Sequence, residues 1–314
     1  RRETDTMPQW AGSSWYFMRY IDPRNPVALA DKEMLTKWAP IDWYNGGMEH
    51  TTLHLLYSRF WYKFLFDIGL VPTSEPYYKR TSQGMILGEG GVKMSKSVGN
   101  VVNPDDIIKQ YGADTLRLYE MFIGPFDQAI AWNAQAVSGV RRFLDKVYSF
   151  KDKIENKDTT LPITHQTIKK VTEDIETMSF NTCVSQMMIW ANTVEKDQTI
   201  SSADFRLFLQ VLAPFAPHVS EDLWSTLEQK AGVSSSIHGM PWPTYDATRL
   251  VTDEVTIAIQ IGGKMRGTLV IKRDMSDEEV ITLVQKEDIY KKHVGENVPK
   301  KTVVVKNKIV NIVI

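Results

Sequence analysis

The spacing of hydrophobic residues changes twice along the chain of 314 residues. Residues 1–132 are rich in aromatic residues and punctuated by glycines, with short motifs in place of long periodic runs. Residues 133–232 carry apolar residues at helical spacing, whereas residues 251–314 contain runs that alternate apolar and polar positions. A stretch rich in serine, glycine and proline at residues 233–250 predicts a linker. The pattern therefore predicts a multidomain protein.

The helical part predicts a bundle of about four helices, because apolar sets at helical spacing alternate with prolines that end helices. The apolar sets include Val140, Phe143, Leu144 and Val147, and then Phe205, Phe208, Leu209 and Leu212. The separating prolines are Pro162, Pro214 and Pro217.

The last part predicts a small ββαββ domain of the α+β class. The strands expected from alternation and from runs of β-branched residues are Val255–Ile261, Thr268–Ile271, Thr302–Val305 and Ile309–Ile314. Gly262 and Gly263 predict the turn between the first two strands. Ser276 with Glu279 predicts a capping box that opens the helix between the strand pairs.

In the first part, a helix is predicted to follow the glycine pair Gly46-Gly47 and to run to about Phe66. Two adjacent stripes at helical spacing lie along it. One stripe is apolar and is expected to face the core, and the other carries two histidines that point the same way. The apolar stripe is Leu53, Leu56, Phe60 and Phe64, and the histidine stripe is His50, His54, Tyr57 and Trp61.

Charge and cysteine content narrow the function classes. The net charge is −1, yet residues 255–314 hold 11 Lys/Arg against 7 Asp/Glu. This basic last part indicates a polyanionic partner, with a solvated lysine-rich surface as the alternative. The single cysteine, Cys183, excludes an intrachain disulfide and favours a reducing compartment. No apolar run approaches the ~18 residues that span a bilayer, so we expect no membrane partner.

A segment that we call the lysine loop, residues 88–97, carries the first candidate chemistry. Lys93 and Lys96 are three residues apart, serines flank them, and three glycines precede them. Such a loop can close over a ligand, and its ammonium groups can neutralise charge on phosphate oxygens. A P-loop and a kinase glycine loop are excluded by the residues around Lys93. Asn103, Pro104 and Asp105 predict the start of a helix behind the loop.

The second candidate is the segment Tyr44–His54, in which Gly46-Gly47 leads to Glu49, His50 and His54. Three interpretations compete for the two histidines: a metal site, a structural role, and the wall of a pocket for a small polar ligand. The order is Glu-His-x-x-x-His, and no third metal ligand is evident in the sequence. The bare backbone of the two glycines favours the pocket.

These two segments resemble a known family. Lys93-Met94-Ser95-Lys96-Ser97 matches the KMSKS signature of class I aminoacyl-tRNA synthetases letter for letter, and Gly-Gly-x-Glu-His followed by His54 resembles the leucyl-tRNA synthetase pattern. Residues 3–8 and 13–20 resemble the place where that family's chain re-enters the catalytic domain. Residues 81–86 resemble its strand that faces adenine.

The resemblance implies a site for each substrate. The catalytic residues are Lys93 and Lys96. The ATP-binding residues are Gly46, Gly47, Glu49, Gln83, Gly84, Met85 and Lys96. The leucine-binding residues are Ser13, Tyr16, Tyr44, His50 and His54. The candidate tRNA-phosphate contacts are Lys264, Arg266, Lys300, Lys301, Lys306 and Lys308.

The resemblance also implies an architecture: a partial, Rossmann-like α/β catalytic domain (1–132), an anticodon-binding-type helical bundle (133–232) and a tRNA-binding α+β domain (251–314). The family's His-Ile-Gly-His-type motif and editing domain are not found in the 314 residues. We therefore expect a C-terminal fragment of a bacterial-type enzyme that is inactive alone.

The expected activity is that of a leucine–tRNA ligase in the full-length enzyme, with Mg²⁺ bound to ATP as substrate and no protein-bound metal. The expected partners are leucine, ATP and tRNA(Leu), and the expected enzyme is monomeric and cytoplasmic. Two alternatives remain: a non-catalytic RNA-binding module or split subunit, and a ligase for another amino acid.

Overall fold

A computed structural model describes residues 10–232, 235–250, 254–295 and 297–313. The α-helices are α1 (Trp10–Ser13), α2 (Tyr16–Arg19), α3 (Lys32–Trp38), α4 (His54–Asp67), α5 (Pro104–Tyr111), α6 (Ala113–Phe122), α7 (Ala134–Ser149), α8 (Pro162–Glu176), α9 (Phe180–Val194), α10 (Ser202–Leu212), α11 (Pro217–Ala231), α12 (Asp277–Lys286) and α13 (Asp288–His293). The strands are β1 (Ile41–Asn45), β2 (Tyr77–Thr81), β3 (Ile86–Leu87), β4 (Ile130–Ala131), β5 (Ile154–Glu155), β6 (Ile200–Ser201), β7 (Glu254–Ile261), β8 (Lys264–Lys272), β9 (Lys301–Val305) and β10 (Ile309–Val313). The segment 3–8 that contributed to the resemblance lies outside the described residues.

The first part is built on parallel strand pairs. β1 pairs with β2, with Ile41 opposite Tyr77 and Asn45 opposite Thr81, and β3 pairs with β4. Helix α4 lies between β1 and β2 in the chain, which is the strand–helix–strand order of α/β proteins. This order agrees with the mixed α/β architecture predicted for this part.

The predicted core stripe of α4 is wrong. Leu56, Phe60 and Phe64 are 57%, 73% and 48% exposed, and Leu53 lies before the helix at a kinked backbone position. The buried positions are instead Ser58, Tyr62 and Leu65, which follow helical spacing one face around. The helix carries apolar side chains on more than one face, so periodicity alone could not tell which face meets the core.

The segment predicted as the adenine-facing strand is only partly a strand. β2 ends at Thr81 and β3 begins at Ile86, and the residues between them belong to no strand. The Gly84 N–H donates 2.7 Å to the Phe126 carbonyl. A Cβ at Gly84 would lie 1.8 Å from the Gln128 carbonyl oxygen. The backbone is therefore pressed against another loop, and its hydrogen bonds go there rather than to a sheet.

The helical part contains five α-helices between residues 134 and 231, against about four expected. Two breaks were not predicted: one separates α9 from α10, and the other separates α8 from α9, where Met178 adopts a φ of 57°. No glycine or proline marks this turn, so the sequence carried no breaker signal there. The bundle buries one large apolar cluster, in which Trp190 stacks on Phe208 with ring centroids 3.8 Å apart.

Helix α6 ties the lysine-loop region to this bundle. The buried Asp114 carboxylate accepts hydrogen bonds from the Val219 N–H at 2.7 Å and from Nδ1 of His218 at 2.7 Å, at the first turn of α11. The Arg117 guanidinium donates to the Pro214 carbonyl at 2.8 Å, just after α10. One helix thus satisfies free backbone groups on both sides of the α10–α11 turn.

The described part of the predicted linker, residues 235–250, lies along the bundle. Trp242 Nε1 donates 2.8 Å to the Thr172 hydroxyl, and the Asp246 N–H donates 3.1 Å to Nδ1 of the buried His165. Ile237 is 3% exposed and belongs to the bundle core. The segment is therefore anchored by specific contacts.

The last part is a four-stranded sheet in the order β8-β7-β10-β9, with α12 and α13 supplying side chains to its core. The capping box of Ser276 and Glu279 is confirmed, and the single predicted helix is in fact two. β8 begins at Lys264, earlier than predicted, because its pairing with β7 continues across a bulge to Ile261. None of the described helices has the length and apolar character of a membrane span.

Candidate active site

The lysine loop leaves β3 and folds back on itself. The Gly88 N–H donates 2.7 Å to the Val92 carbonyl. Gly90 and Gly91 both have φ of 78°, a conformation that side-chain-bearing residues adopt rarely. Lys93 and Lys96 are both exposed beyond this turn. The loop therefore presents two ammonium groups to solvent.

A hollow of about 240 Å³ lies beside the segment that precedes β3, the strand that leads into this loop. It is lined by Gly47, Met48, Glu49, Gln83, Gly84, Met85, Asp127 and Ala129. Five of the seven predicted ATP-binding residues are in this set, and Gly46 and Lys96 are not. A Cβ at Gly47 would lie 2.3 Å from Oε2 of Glu49, so a side chain there would move the Glu49 carboxylate from its place at the hollow.

Gln83 connects the hollow to Gly46. With its amide oriented to match its neighbours, it donates to the Gly46 carbonyl and accepts from the Gly47 N–H, both at 3.2 Å. The two glycines follow β1 and Gln83 follows β2, so the carboxyl ends of the parallel strands bring these residues together. Ligands of open α/β sheets bind at this end of the strands.

A second group of predicted residues forms a hydrogen-bonded chain. The Tyr16 and Tyr44 hydroxyls are 2.8 Å apart, and the Tyr44 hydroxyl is 2.6 Å from Nε2 of His54. The rings of Tyr16 and His54 are also close, with centroids 5.8 Å apart. Ser13 ends α1, and its hydroxyl donates 3.1 Å to the Trp10 carbonyl.

Burial keeps Tyr44 and His54 uncharged at neutral pH, through its effect on the pKa of each group. Burial lowers the pKa of His54 below its usual value of 6.5, and the neighbouring His50 lowers it further, while a backbone contact with Ser13 acts in the opposite direction. Burial and the hydrogen bond with Tyr16 raise the pKa of Tyr44 far above neutrality. At pH 7 Tyr44 is therefore a phenol and His54 a neutral imidazole, so the 2.6 Å hydrogen bond joins two uncharged rings.

His50 lies on the short 3-10 helix before α4, with its ring centroid 6.4 Å from that of His54. Its Nδ1 atom is buried and has no hydrogen-bond partner among the described residues. Its Nε2 atom is 3.9 Å from the Glu49 carboxylate. Within the described ranges no group of three His, Cys, Asp or Glu side chains is arranged to hold a metal ion. His50 thus lies between Glu49, which lines the hollow, and His54, which bonds to Tyr44.

Tyr77 and Trp10 pack against the rings of this group. Tyr77 stacks on Tyr44 with ring centroids 4.1 Å apart, and its hydroxyl is 2.7 Å from the Ser58 hydroxyl. Trp10 stacks on Tyr57 at 6.0 Å and meets the edge of His50. Sequence reasoning did not select Tyr77. Tyr77 lies four residues before the segment 81–86 that carried the resemblance, and none of the motifs includes it.

The basic residues of the last part fall into two groups. Val313 pairs with Lys301, and the Lys300 N–H bonds to the Val313 carbonyl, at the sheet end that also holds the Gly262-Gly263 turn. Lys264, Arg266, Lys300 and Lys301 lie at or near this end. Lys306 and Lys308 lie in the β9–β10 turn at the opposite end, and Lys306 is 3.4 Å from the Asp274 carboxylate. One surface therefore does not contain all six.

Family models match two successive parts of the chain. Residues 1–133 match "tRNA synthetases class I (I, L, M and V)", and residues 160–282 match "Anticodon-binding domain of tRNA ligase". A leucine–tRNA ligase from Alkaliphilus oremlandii (strain OhILAs) is 51% identical over 317 aligned positions, which cover 100% of this chain and 39% of the relative. The chain thus spans about two fifths of the length of this curated relative.

Two solved structures are similar in fold. In the crystal structure of the ternary complex of Agrobacterium radiobacter K84 agnB2 LeuRS-tRNA-LeuAMS, the match has a TM-score of 0.73 and 32% identity, and covers 99% of this chain and 43% of that one. A Mycobacterium tuberculosis methionyl-tRNA synthetase in complex with methionyl-adenylate has a TM-score of 0.52 at 15% identity, and covers 75% of this chain and 55% of that one, which supports the class I fold alone. Together with the lysine loop and the Gly-Gly-x-Glu-His segment, these similarities show that the chain belongs to the leucyl-tRNA synthetase family of class I aminoacyl-tRNA synthetases.

Proposed function

We propose that this chain supplies the lysine loop, part of the substrate site and the tRNA-binding parts of a full-length leucine–tRNA ligase. In that reaction the leucine carboxylate attacks the α-phosphorus of Mg-ATP, and pyrophosphate leaves. The terminal ribose hydroxyl of tRNA(Leu) then attacks the activated carbonyl. The full-length enzyme is proposed to act as a cytoplasmic monomer.

The observation that carries the proposal is the adjacency of two neutral rings and a glycine-walled hollow. Tyr44 and His54 are joined by a 2.6 Å hydrogen bond, and Tyr44 lies two residues before Gly46-Gly47 in the chain. Uncharged phenol and imidazole rings suit an isobutyl side chain, because an apolar group beside a charged ring would keep that ring from water. We assign Tyr16, Tyr44, His50 and His54 to leucine selection, with Ser13 shaping the pocket.

The hollow lined by Gly47, Glu49 and Gln83 is proposed to hold the adenosine of ATP. Gly84 and Met85 line it as well, and Gly46 is linked to it through Gln83. Glycine backbone lets a nucleotide approach closely. Mg²⁺ arrives with ATP as part of the substrate.

Lys96, assisted by Lys93, is proposed to neutralise the charge that builds on the leaving pyrophosphate. Neither half-reaction needs a covalent protein nucleophile, so positioning and charge stabilisation carry the rate. Removal of one preorganised group that stabilises transition-state charge costs roughly 10²–10³ in kcat. Lys96→Ala in the full-length ligase should therefore slow leucine-dependent ATP–pyrophosphate exchange by about that factor, with little change in leucine binding.

The rest of the catalytic domain is proposed to cover the exposed stripe Leu56, Phe60 and Phe64. It should also cover the faces of the two-stranded β1–β2 sheet, since parallel sheets are normally covered on both faces. The four basic residues near the Gly262-Gly263 turn are the proposed tRNA contacts, with Lys306 and Lys308 the weaker candidates.

The decisive experiment measures leucine-dependent ATP–pyrophosphate exchange by the full-length ligase and by the 314-residue chain alone. The full-length enzyme should activate leucine in preference to isoleucine, valine and methionine, and the chain alone should be silent. Exchange by the isolated chain would refute the need for the rest of the domain. A full-length protein that binds tRNA but activates no amino acid would instead support the RNA-binding alternative.

A further inference from the structure

Asn100, which follows the lysine loop, bonds with its carboxamide to the backbone on both sides of Met94. The Ser95 N–H donates 2.9 Å to Oδ1 of Asn100. Nδ2 of Asn100 donates 3.2 Å to the Lys93 carbonyl. One neutral amide therefore uses its acceptor and its donor to hold the segment between the two lysines.

The same amide lies against the start of the loop. Gly88 is buried, and a Cβ there would lie 2.7 Å from Nδ2 of Asn100 and 3.2 Å from the Val92 carbonyl oxygen. The absence of a side chain at Gly88 thus makes the space that Asn100 fills. The two ends of the loop meet through this contact.

Met94 fixes the same point of the loop from the other side. Its side chain packs against the bundle core and lines a small hollow of about 120 Å³ with Ile86, Val102 and Trp132. The backbone at Met94 is held by Asn100 and its side chain by apolar contacts. Lys93 and Lys96 extend from this pivot into solvent.

We propose that Asn100 is a positioning residue that sets the direction of Lys96 by holding the loop backbone at Met94. The inference rests on the proposed ligase function, in which Lys96 must meet the leaving pyrophosphate. An aspartate at this position could accept from the Ser95 N–H, but it could not donate to the Lys93 carbonyl and would set a carboxylate oxygen against it. Both halves of the amide are therefore required.

The first test compares Asn100→Ala with Asn103→Ala in the full-length ligase. Asn103 is a matched control, because its side chain caps α5 by accepting from the Asp105 N–H at 3.2 Å and, among the described residues, has no hydrogen bond to the lysine loop. Asn100→Ala should lower kcat for leucine-dependent exchange by roughly 10- to 100-fold, since a displacement of about 1 Å can cost about 10² in rate. KM for leucine should stay within about twofold, and Asn103→Ala should keep the wild-type kcat.

Amide hydrogen exchange reports on the loop independently of catalysis. In Asn100→Ala, the peptide that contains the Ser95 N–H should exchange about fivefold faster than in wild type, the factor expected for loss of one typical hydrogen bond. Asn100→Asp should resemble Asn100→Ala in rate, whereas a purely steric role would leave Asn100→Asp active. Wild-type kcat and unchanged exchange in Asn100→Ala would overturn the proposal.

A second variant displaces Asn100 without altering it. Gly88→Ala should push the amide away from Lys93 and reproduce the fall in kcat, while Gly239→Ala, with open space at its Cβ, should have no effect. A Gly88→Ala enzyme with wild-type kcat would count against the inference. A wild-type ligase without leucine-dependent exchange would instead refute the proposed function, so the two failures are distinguishable.

Discussion

The helical bundle and the first part of the chain treat their large apolar side chains in opposite ways. In the bundle, Trp190, Phe205 and Phe208 are at most 1% exposed. On α4, Phe60 is 73% exposed and Leu56 57%. The bundle core is closed within this chain, because α6 and Ile237 add side chains to those of the bundle helices. In contrast, α4 keeps one apolar face for a surface that we propose belongs to the rest of the ligase. Apolar spacing therefore predicts that a helix face is buried. It does not tell whether that face is buried within this chain or against another part of the protein.

The largest expected effect is in the bundle. Trp190→Ala removes a ring stacked on Phe208 and an indole N–H that donates 2.9 Å to the Thr164 hydroxyl. The loss should lower the free energy of unfolding by about 3–5 kcal/mol, the range for a large core residue cut to alanine. Chemical denaturation followed by circular dichroism measures it. A cost below about 1 kcal/mol would mean that the bundle core is not close-packed.

Gly84 tests the close backbone contact beside the proposed adenosine hollow. Gly84→Ala places a Cβ against the Gln128 carbonyl, and backbone on both sides leaves little room to yield. Overpacking of this kind should cost about 1–3 kcal/mol, seen as an earlier denaturation midpoint. Gly239→Ala, at an open position, is the control and should change the midpoint little.

The junction between the two regions should be less sensitive. Asp114→Ala removes the acceptor of the Val219 N–H and of His218, and leaves the first turn of α11 without its cap. The expected cost is ~1–2 kcal/mol, the upper part of the range for lost helix caps. Arg117→Ala, which frees the Pro214 carbonyl on the other side of the turn, should be the milder variant. If both variants had the wild-type free energy of unfolding, the contacts of α6 with the α10–α11 turn would not stabilise the bundle.

A pH titration compares one histidine from each region. Burial lowers the pKa of His54, and it also lowers that of His165, whose Nδ1 accepts from the Asp246 N–H. The unfolded chain then binds protons below about pH 6.5 that the folded chain does not. Stability should therefore be undisturbed by these groups above that pH and should fall as the pH drops below it. Histidine Cε1–H shifts should give pKa values under 6.5, and values at or above 6.5 would contradict the buried placement.

The smallest expected effect is on the exposed face of α4. Phe60→Ser in this chain should change the free energy of unfolding by no more than about 0.5 kcal/mol, as at other surface positions. It should also reduce binding of a hydrophobic dye and self-association. In the full-length ligase the same substitution should cost more. A loss of several kcal/mol in this chain alone would mean that α4 packs the other way round.

Local structure was predictable wherever neighbouring residues decide it. The capping box at Ser276 and the cap at Asn103 were both predicted, because each depends on side chains within three residues. β7 was predicted within one residue from its alternation. The turn at Met178 was missed, because it holds a non-glycine residue at positive φ and carries no breaker.

In the candidate site, too, some features follow from neighbouring residues and others depend on the tertiary structure. The sequence by itself determined which residue types stand together: a glycine-rich lysine loop, a Gly-Gly-x-Glu-His segment and a basic last part. Only the tertiary structure decided that Tyr16 and Tyr44, 28 positions apart, meet at 2.8 Å, that Tyr77 supports them, and that Lys306 lies at the far end of its sheet from Lys301. Contacts within a turn or a strand follow from the short-range geometry of the backbone. Contacts across the chain depend on which faces pack, and many residues share in deciding that.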